Sequence, residues 1–218
     1  MSNYGEMQAR INDEIGLPIV VARIPNAILS AIRFYENGRW WFTEGESTTP
    51  SVVGQNAYAV PVDFIAPDVL TITDTVEDVR YVLTRRPWSW MRHHLLDNDS
   101  LARSDDWSYY ADQFWLFPIP DQAYTLTLSY RKRLTALSAF ADTNEWMVEG
   151  EELIRSRAKW DLMAHTAKDY KGAEMMKGAE IDALYNLRRS SEQKIASERM
   201  SFDDGLLTSR GHYNINYQ

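Results

Sequence analysis

The first 38 residues alternate apolar and polar side chains with the period of an α-helix. One apolar stripe recurs every three or four positions and stops before Gly16, a residue that commonly ends helices; it consists of Tyr4, Met7, Ile11 and Ile15. A second stripe follows Pro25, which suits a first helical turn, and ends at Asn37-Gly38; it consists of Ile28, Ile32 and Tyr35. The pattern predicts two amphipathic helices that form a hairpin. Because this hairpin cannot bury its stripes alone, we expect it to pack against another part of the chain.

From residue 39 the pattern changes to short aromatic and β-branched runs separated by turn residues. Seven of these runs predict strands: 40–43, 51–53, 57–60, 68–73, 79–83, 113–117 and 124–130. The last alternates strictly, with Tyr124, Leu126, Leu128 and Tyr130 on one face, which predicts that this face is buried. Turn signals at Gly54-Gln55 and 74–78 favour a largely antiparallel sheet built from sequence neighbours. Residues 87–96 predict an inserted helix, and residues 97–106 predict a polar loop.

Helical spacing returns after residue 142. A first helix is predicted over about 148–169, with one apolar side formed by Leu153, Ile154, Ala158, Leu162 and His165. A second is predicted over about 173–198, with Gly172 at the turn and a stripe formed by Met176, Ala179, Ala183, Leu184, Leu187 and Ile195. The chain from residue 200 is rich in Ser, Asp, Gly and Asn, which are poor helix formers, and period two reappears near its end. We therefore expect an extended arm there.

These elements predict an α+β fold in which N-terminal and C-terminal helices form a bundle around a central, mainly antiparallel β module with a short inserted helix. The expected divisions are a helical hairpin over 1–38, a β module over 39–135, a helical pair over 136–199 and an arm over 200–218.

Composition narrows the function. The chain has no cysteine, which excludes disulfides and thiolate chemistry and favours a reducing compartment. Its start lacks the basic and apolar regions of a secretory signal, and its longest apolar stretch is too short to span a bilayer, so we expect no export and no membrane contact. Asp and Glu number 31 against 23 Lys and Arg, and the resulting net charge of −8 disfavours tight binding of DNA.

The sequence offers no catalytic centre. It contains neither a phosphate-binding glycine loop nor a G-x-S-x-G elbow. The adjacent His93 and His94 would point about 100° apart on a helix, so they do not predict a metal site. We interpret His165 as a core or interface histidine and the carboxylates near residues 149–152 as partners of a helix N-terminus. We therefore predict no enzyme activity, no cofactor and no bound metal.

Eight tryptophans leave two interpretations open. Clusters at 40–42, 88–90 and 114–117 could stack on sugars, which suggests a carbohydrate-binding module as the alternative function. Alternation along a strand instead places Trp40 and Phe42 in the core and Trp41 against a neighbouring layer or subunit. The second interpretation is favoured because aromatic residues are enriched in cores and subunit interfaces.

Several runs resemble, in order and spacing, the head-to-tail adaptor proteins of tailed bacteriophages. They are AILSAIRFYE at 27–36, RWWFTE at 39–44, YAVPVDFI at 58–65, LFPIPD at 116–121, YTLTLSY at 124–130, DTNEW at 142–146 and EGEELIR at 149–155. The resemblance covers about residues 27–168, and the chain after residue 200 has no counterpart in it. It implies a ring of about twelve copies beneath the portal protein, joined to the tail or nozzle proteins, with the genome passing through the bore.

The requirements of a ring subunit agree with the properties of this sequence. A ring subunit needs lateral packing surfaces and no catalytic residue, and a negatively charged bore would let DNA slide rather than stick. For the arm, we predict that apolar side chains insert into the portal or a neighbouring subunit by strand addition or side-chain anchoring. These predicted partner-binding residues are Phe202, Leu206, Leu207, Tyr213, Ile215 and Tyr217.

Overall fold

A computed structural model describes residues 3–74, 76–97 and 100–208, with side chains as far as residue 195 apart from that of residue 97. Two units can be distinguished. A sheet unit comprises residues 43–133, and a helical unit is formed by the chain on either side of it. The fold is α+β, with N-terminal and C-terminal helices packed together and antiparallel sheets in the middle of the chain, as the sequence predicted.

Helix α1 (Tyr4–Ile15) forms as predicted and is capped at both ends. The Asn3 side chain accepts a hydrogen bond from the Glu6 N–H at 2.8 Å, and the Glu6 carboxylate accepts one from the Asn3 N–H at 3.3 Å. This reciprocal pair satisfies N–H groups that the first turn leaves without partners. At the other end Gly16 has φ 64°, a left-handed conformation that glycine adopts without a steric cost.

Helix α2 (Ile24–Tyr35) follows a 3₁₀ turn at Pro18–Arg23, so the predicted helical hairpin is confirmed. Pro25 lies in its first turn, where a missing N–H costs nothing. The start of α1 is also tied to the distant loop before the C-terminal helices. The N–H groups of Tyr4 and Gly5 donate to the carbonyls of Asp142 and Phe140, each at 2.8 Å. A Cβ at Gly5 would lie 2.8 Å from the Phe140 ring, so this close approach requires glycine.

The C-terminal helices differ in detail from the prediction. The predicted helix over 148–169 is divided into α4 (Glu145–Val148), α5 (Glu151–Asp161) and a π-helical turn (Leu162–Ala167) that ends at Lys168 with φ 56°. The predicted helix over 173–198 is present as α6 (Tyr170–Thr208), which continues through residues expected to be extended. No helix in the described ranges has both the length and the apolar content needed to span a bilayer.

Helix α5 lies at the centre of the helical unit and contacts α1, α2 and α6. Leu153, Ile154, Ala158 and Leu162, predicted to share one side, are all buried. His165 was expected on the same side, but its side chain is 67% exposed. The reason is the π turn, which changes the angle between successive residues and rotates His165 away from the core.

An aromatic cluster completes this core. The Trp146 ring meets Trp40 and Phe42 edge-on, with centroid distances of 5.7 and 5.0 Å, and all three side chains are buried. Trp40 and Phe42 were predicted to be core residues of a strand. They are core residues, but the backbone at Trp41–Thr43 is a 3₁₀ turn, so the strand predicted at 40–43 is wrong.

The sheet unit contains two four-stranded sheets. The first has the order β1-β8-β3-β4 and the second the order β2-β7-β6-β5. In chain order the strands are β1 (Glu44–Pro50), β2 (Ala57–Ala59), β3 (Phe64–Asp74), β4 (Val79–Val82), β5 (Thr84–Arg85), β6 (Asp106–Tyr110), β7 (Gln113–Phe117) and β8 (Thr125–Lys132). Pairings are antiparallel apart from the short parallel contact of β5 with β6. Neighbours in sequence pair at β3–β4 and β6–β7, whereas β1 and β2 pair with distant strands.

The inner faces of the two sheets share one core. Tyr124, Leu126, Leu128 and Tyr130 are all buried, which confirms the predicted buried face of residues 124–130. From the second sheet Phe114 and Leu116 join the same cluster. Helix α3 (Trp88–Asp97) is the predicted inserted helix, and it packs on β6 and β7. Its position covers the other face of the second sheet.

Several strand boundaries were predicted wrongly. Residues 51–53 lie outside the strands, while β1, β5 and β6 were missed. Strand β1 has the sequence EGESTTP, and it is held by pairing along its full length with β8 rather than by an apolar pattern. Strand β6 falls partly in the predicted polar loop over 97–106 because Asp106 and Ser108 mask its alternation. Pairing with a distant partner can therefore override local propensity.

Replacing Trp146 with alanine is expected to lower the free energy of unfolding of the helical unit by about 3–5 kcal/mol, because it leaves a cavity between Trp40 and Phe42. Urea unfolding followed by far-UV circular dichroism measures this change. Val148→Ala is the matched control in the same helix; Val148 is 47% exposed, and the expected change is within about 0.5 kcal/mol. Equal effects of the two substitutions would contradict the assignment of Trp146 to the core.

Candidate partner-binding surfaces

The first part of the predicted arm belongs to α6, and the rest follows the end of that helix. Phe202, Leu206 and Leu207 lie in its last two turns, where the backbone is helical to Thr208 rather than extended. Phe202 and Leu206 are four residues apart, a spacing that places them on the same side of a helix. The side chains of these residues lie outside the described part of the chain, and so do Tyr213, Ile215 and Tyr217 entirely. Their role in partner binding stays a prediction.

A groove of about 420 Å³ runs between α2 and α6 in the helical unit. Its apolar lining includes Phe34 and Ile181, whose side chains are 59% and 57% exposed. Arg188 and Lys177 line it as well. The groove therefore combines exposed apolar side chains with positively charged ones.

A buried carboxylate lies at the floor of this groove. Glu180 on α6 is only 2% exposed, and its Oε1 atom accepts a hydrogen bond from the Tyr35 hydroxyl of α2. The same oxygen lies 3.2 Å from Arg157 Nη1 of α5, and Oε2 lies 2.9 Å from Lys177 Nζ. One carboxylate therefore joins three helices. Such burial is tolerated because both oxygens are hydrogen-bonded and paired with positive charge.

Two aromatic rings enclose Arg157, one of the two cations of this cluster. The Arg157 guanidinium lies 4.0 Å from the centroid of Phe34 and 4.3 Å from that of Trp160. Flat guanidinium groups stack well on such rings, which keeps Arg157 in place beside Glu180. The exposed Phe34 of the groove is thus held by the same interactions that neutralise the buried carboxylate.

The ionisation of this cluster follows from its contacts. Burial acts to raise the pKa of the Glu180 carboxyl, but the hydrogen bonds from Tyr35 and Lys177 and the charges of Arg157 and Lys177 outweigh it, so the pKa lies below its ordinary value. The pKa of the Tyr35 hydroxyl is raised, first by burial and then by its hydrogen bond to Glu180. At neutral pH the carboxyl is therefore ionised and the phenol is protonated, as the observed hydrogen bond requires.

A second, smaller groove of about 210 Å³ lies elsewhere on the helical unit, between the start of α5 and the outer part of α6. Trp41 lines it, and Lys194 Nζ lies 3.7 Å above the Trp41 ring and 4.0 Å from a Glu149 oxygen. Trp41 was predicted to pack against a neighbouring layer or subunit. It packs against the helical core while Lys194 covers its ring.

The remaining aromatic clusters form a layer between α3 and the second sheet. Trp88 stacks on Tyr110 at 4.4 Å with the rings within 2° of parallel, and it meets Trp115 at 5.1 Å. Trp90 and His94 pack on Phe117 in the same layer. These rings cover one another, so they attach α3 to the sheet. Trp88, Trp90 and Trp115 are only partly buried and Tyr110 is 49% exposed, so this layer lies outside the buried core of the sheet unit.

The described residues contain no group of three or more metal-binding side chains. The rings of His93 and His94 lie 5.6 Å apart in a T-shaped contact, which is not a shared coordination geometry. His212 lies outside the described part of the chain. The arrangement that is present consists of apolar grooves, stacked rings and a buried ion cluster.

Apolar grooves of this kind are surfaces on which another protein can pack. The comparison with known families agrees: the model of the SU10 adaptor protein family matches residues 2–204. The chain therefore belongs to the SU10 adaptor protein family; it is a phage head–tail adaptor and not an enzyme. A search of curated proteins finds no match. The match confirms the resemblance of residues 27–168 to phage head-to-tail adaptors.

The ion cluster was not predicted from the sequence. A signal for it exists, because Glu180 occupies a position of the apolar α6 stripe between Ala173 and Leu187, where a charged side chain predicts a buried partner. The identity of that partner could not be inferred, since Tyr35 is 145 residues away in sequence.

Replacing Glu180 with glutamine is expected to cost about 1–3 kcal/mol at neutral pH, because Arg157 and Lys177 lose their counter-charge. The folded-state pKa of Glu180 is lowered, so its contribution is present above the unfolded-state pKa and is lost as the pH falls through the folded-state pKa. Urea unfolding across this acidic range should show the wild type and the variant converging at low pH.

Glu174→Gln is the matched control, since Glu174 is exposed on the same helix. It should leave stability nearly unchanged. A Glu180→Gln difference that stays constant as the pH falls would contradict the role of the ionised carboxylate.

Proposed function

We propose that copies of this chain form a ring of about twelve subunits beneath the portal protein of a tailed phage, joining it to the tail or nozzle proteins. The chain would be made in the host cytoplasm and then reside in the virion at the head–tail interface. The family match supports the adaptor role. The proposed assembly is based on one observation, which is that the helical unit leaves apolar surface exposed.

That surface extends over several elements of the helical unit. Ile19 in the first 3₁₀ turn is 66% exposed, Phe34 at the end of α2 is 59% exposed, and Tyr185 on α6 is 66% exposed. Single exposed apolar residues are common, but the groove between α2 and α6 adds a concave site beside Phe34. Protein subunits that cover these side chains would remove them from water.

The charge of the chain fits a channel component. A net charge of −8 would repel the phosphate backbone, so DNA in the bore of the ring would stay mobile. Specific DNA binding is not part of the proposal.

The C-terminal arm would attach the subunit to the portal or to a neighbouring adaptor. Phe202, Leu206 and Leu207 would act from the helical end of α6, and Tyr213, Ile215 and Tyr217 from the chain beyond Thr208. Their apolar side chains would be the anchors.

Native mass spectrometry of the full chain mixed with purified portal protein tests the proposal. We expect a complex that contains several copies of this chain on each portal ring. A chain that stays monomeric and does not bind the portal would contradict the proposed function.

Two shortened chains test the arm. Ending the chain at Met200 should abolish portal binding while circular dichroism shows that the fold is retained. Ending it at Thr208 separates the two groups of residues: lost binding assigns the contact to Tyr213, Ile215 and Tyr217, and retained binding assigns it to Phe202, Leu206 and Leu207. Normal assembly of the chain that ends at Met200 would contradict the arm proposal.

A further inference from the structure

One stretch of the sheet unit departs from the acidic character of the chain. Residues 79–96 contain Arg80, Arg85, Arg86 and Arg92 together with two histidines, and they contain no Asp, Glu or Lys. The chain as a whole has a net charge of −8. All the Asp and Glu residues that give the chain its negative charge therefore lie outside residues 79–96.

The structure places this stretch at a sheet edge and on an adjoining helix. Strand β4 is an edge of the first sheet and β5 is an edge of the second, and only Leu83 separates them in sequence. Helix α3 follows directly, with Met91 buried and Arg92 and Leu96 exposed. We use the name basic edge for the exposed residues Arg80, Val82, Arg85, Arg92 and Leu96.

The arginines of the basic edge differ from their neighbours in their pairing. Arg86 forms an ion pair with Asp106, with Nε and Oδ1 2.8 Å apart. Arg80, Arg85 and Arg92 have no carboxylate partner within the residues that the structure describes. Arg85 Cζ lies 5.5 Å from the centroid of the Trp107 ring, a contact that supplies no counter-charge.

Apolar side chains lie among these charges. Val82 is 70% exposed and Leu96 is 75% exposed. Protein interfaces are enriched in arginine, aromatic residues and methionine and depleted in lysine and carboxylates, which is the composition of residues 79–96. A DNA backbone would gain little from Val82 or Leu96, whereas a protein partner would bury them. The observations thus favour a protein partner with an acidic surface.

We propose that the basic edge docks on an acidic surface of a second copy of this chain. Charge complementarity supports this choice, because the surplus carboxylates of an identical copy lie on surfaces other than the basic edge. A contact between two different surfaces of identical subunits is head-to-tail, and such contacts generate rings when the rotation closes. The inference rests on the proposed ring and names the face that would make its lateral contact.

Reversing the three unpaired charges tests this proposal. The full chain with Arg80→Glu, Arg85→Glu and Arg92→Glu is expected to self-associate at least about tenfold more weakly than the wild type in sedimentation velocity over a concentration series. Raising the salt concentration from about 0.05 M to about 0.5 M should weaken self-association of the wild type, because interfacial charges are screened. The variant should respond less.

Arg80→Lys, Arg85→Lys and Arg92→Lys together form the matched control, because they change the same three side chains and keep their positive charges. Circular dichroism checks that both variants fold. Equal self-association of the wild type and the basic-edge variant would overturn the inference, and so would an equal loss in the control or a wild type that stays monomeric. Short duplex DNA that binds the wild type but not the basic-edge variant, with self-association unchanged, would also overturn it in favour of a polyanion contact.

Portal binding, measured in parallel, separates this inference from the proposed function. If the basic-edge variant assembles normally on the portal, the inference fails and the adaptor ring stands. If the wild type neither self-associates nor binds the portal, both fail.

Discussion

The helical unit depends on bringing together two parts of the chain that an entire sheet unit separates in sequence. The buried carboxylate of Glu180 on α6 shows this constraint most clearly, because its partners come from α2 and α5. A buried ion pair adds little net stability compared with apolar packing, but losing one partner leaves a costly unpaired charge. Removal of any one of these partners would therefore leave an unpaired polar or charged group buried where α2, α5 and α6 meet.

The core around α5 supplies the stability that the ion cluster does not. Trp146 packs against Trp40 and Phe42, which connects the end of the N-terminal segment to the start of the C-terminal helices. The sheet unit has a separate core between its two sheets. Each unit can thus bury its own apolar residues, and the surfaces left over are available for partners. This division suits an adaptor, which must present several binding faces on a stable framework and has no reaction to catalyse.

Much of the fold could be predicted because its signals are local. The helix at 4–15 and the buried face of residues 124–130 follow from the spacing of their apolar residues. The errors have more than one cause. Strand β1 has almost no apolar pattern, and it exists because β8 pairs with it along its whole length. The prediction of an arm beginning at residue 200 used helix propensity, which is weak enough for α6 to continue to Thr208.

For the candidate surfaces, too, some features follow from the sequence and others only from the tertiary structure. Sequence by itself determined the fold class, the absence of cysteine chemistry, the acidic balance and the adaptor family, since each depends on composition, periodicity or the order of short runs. Tertiary structure alone decided that Phe34 and Ile181 line one groove, that Glu180 meets Tyr35, and that the arginines after Val79 lie on a sheet edge and an exposed helix face. Those juxtapositions join residues far apart in the chain or depend on which strands become edges, and no local pattern encodes either.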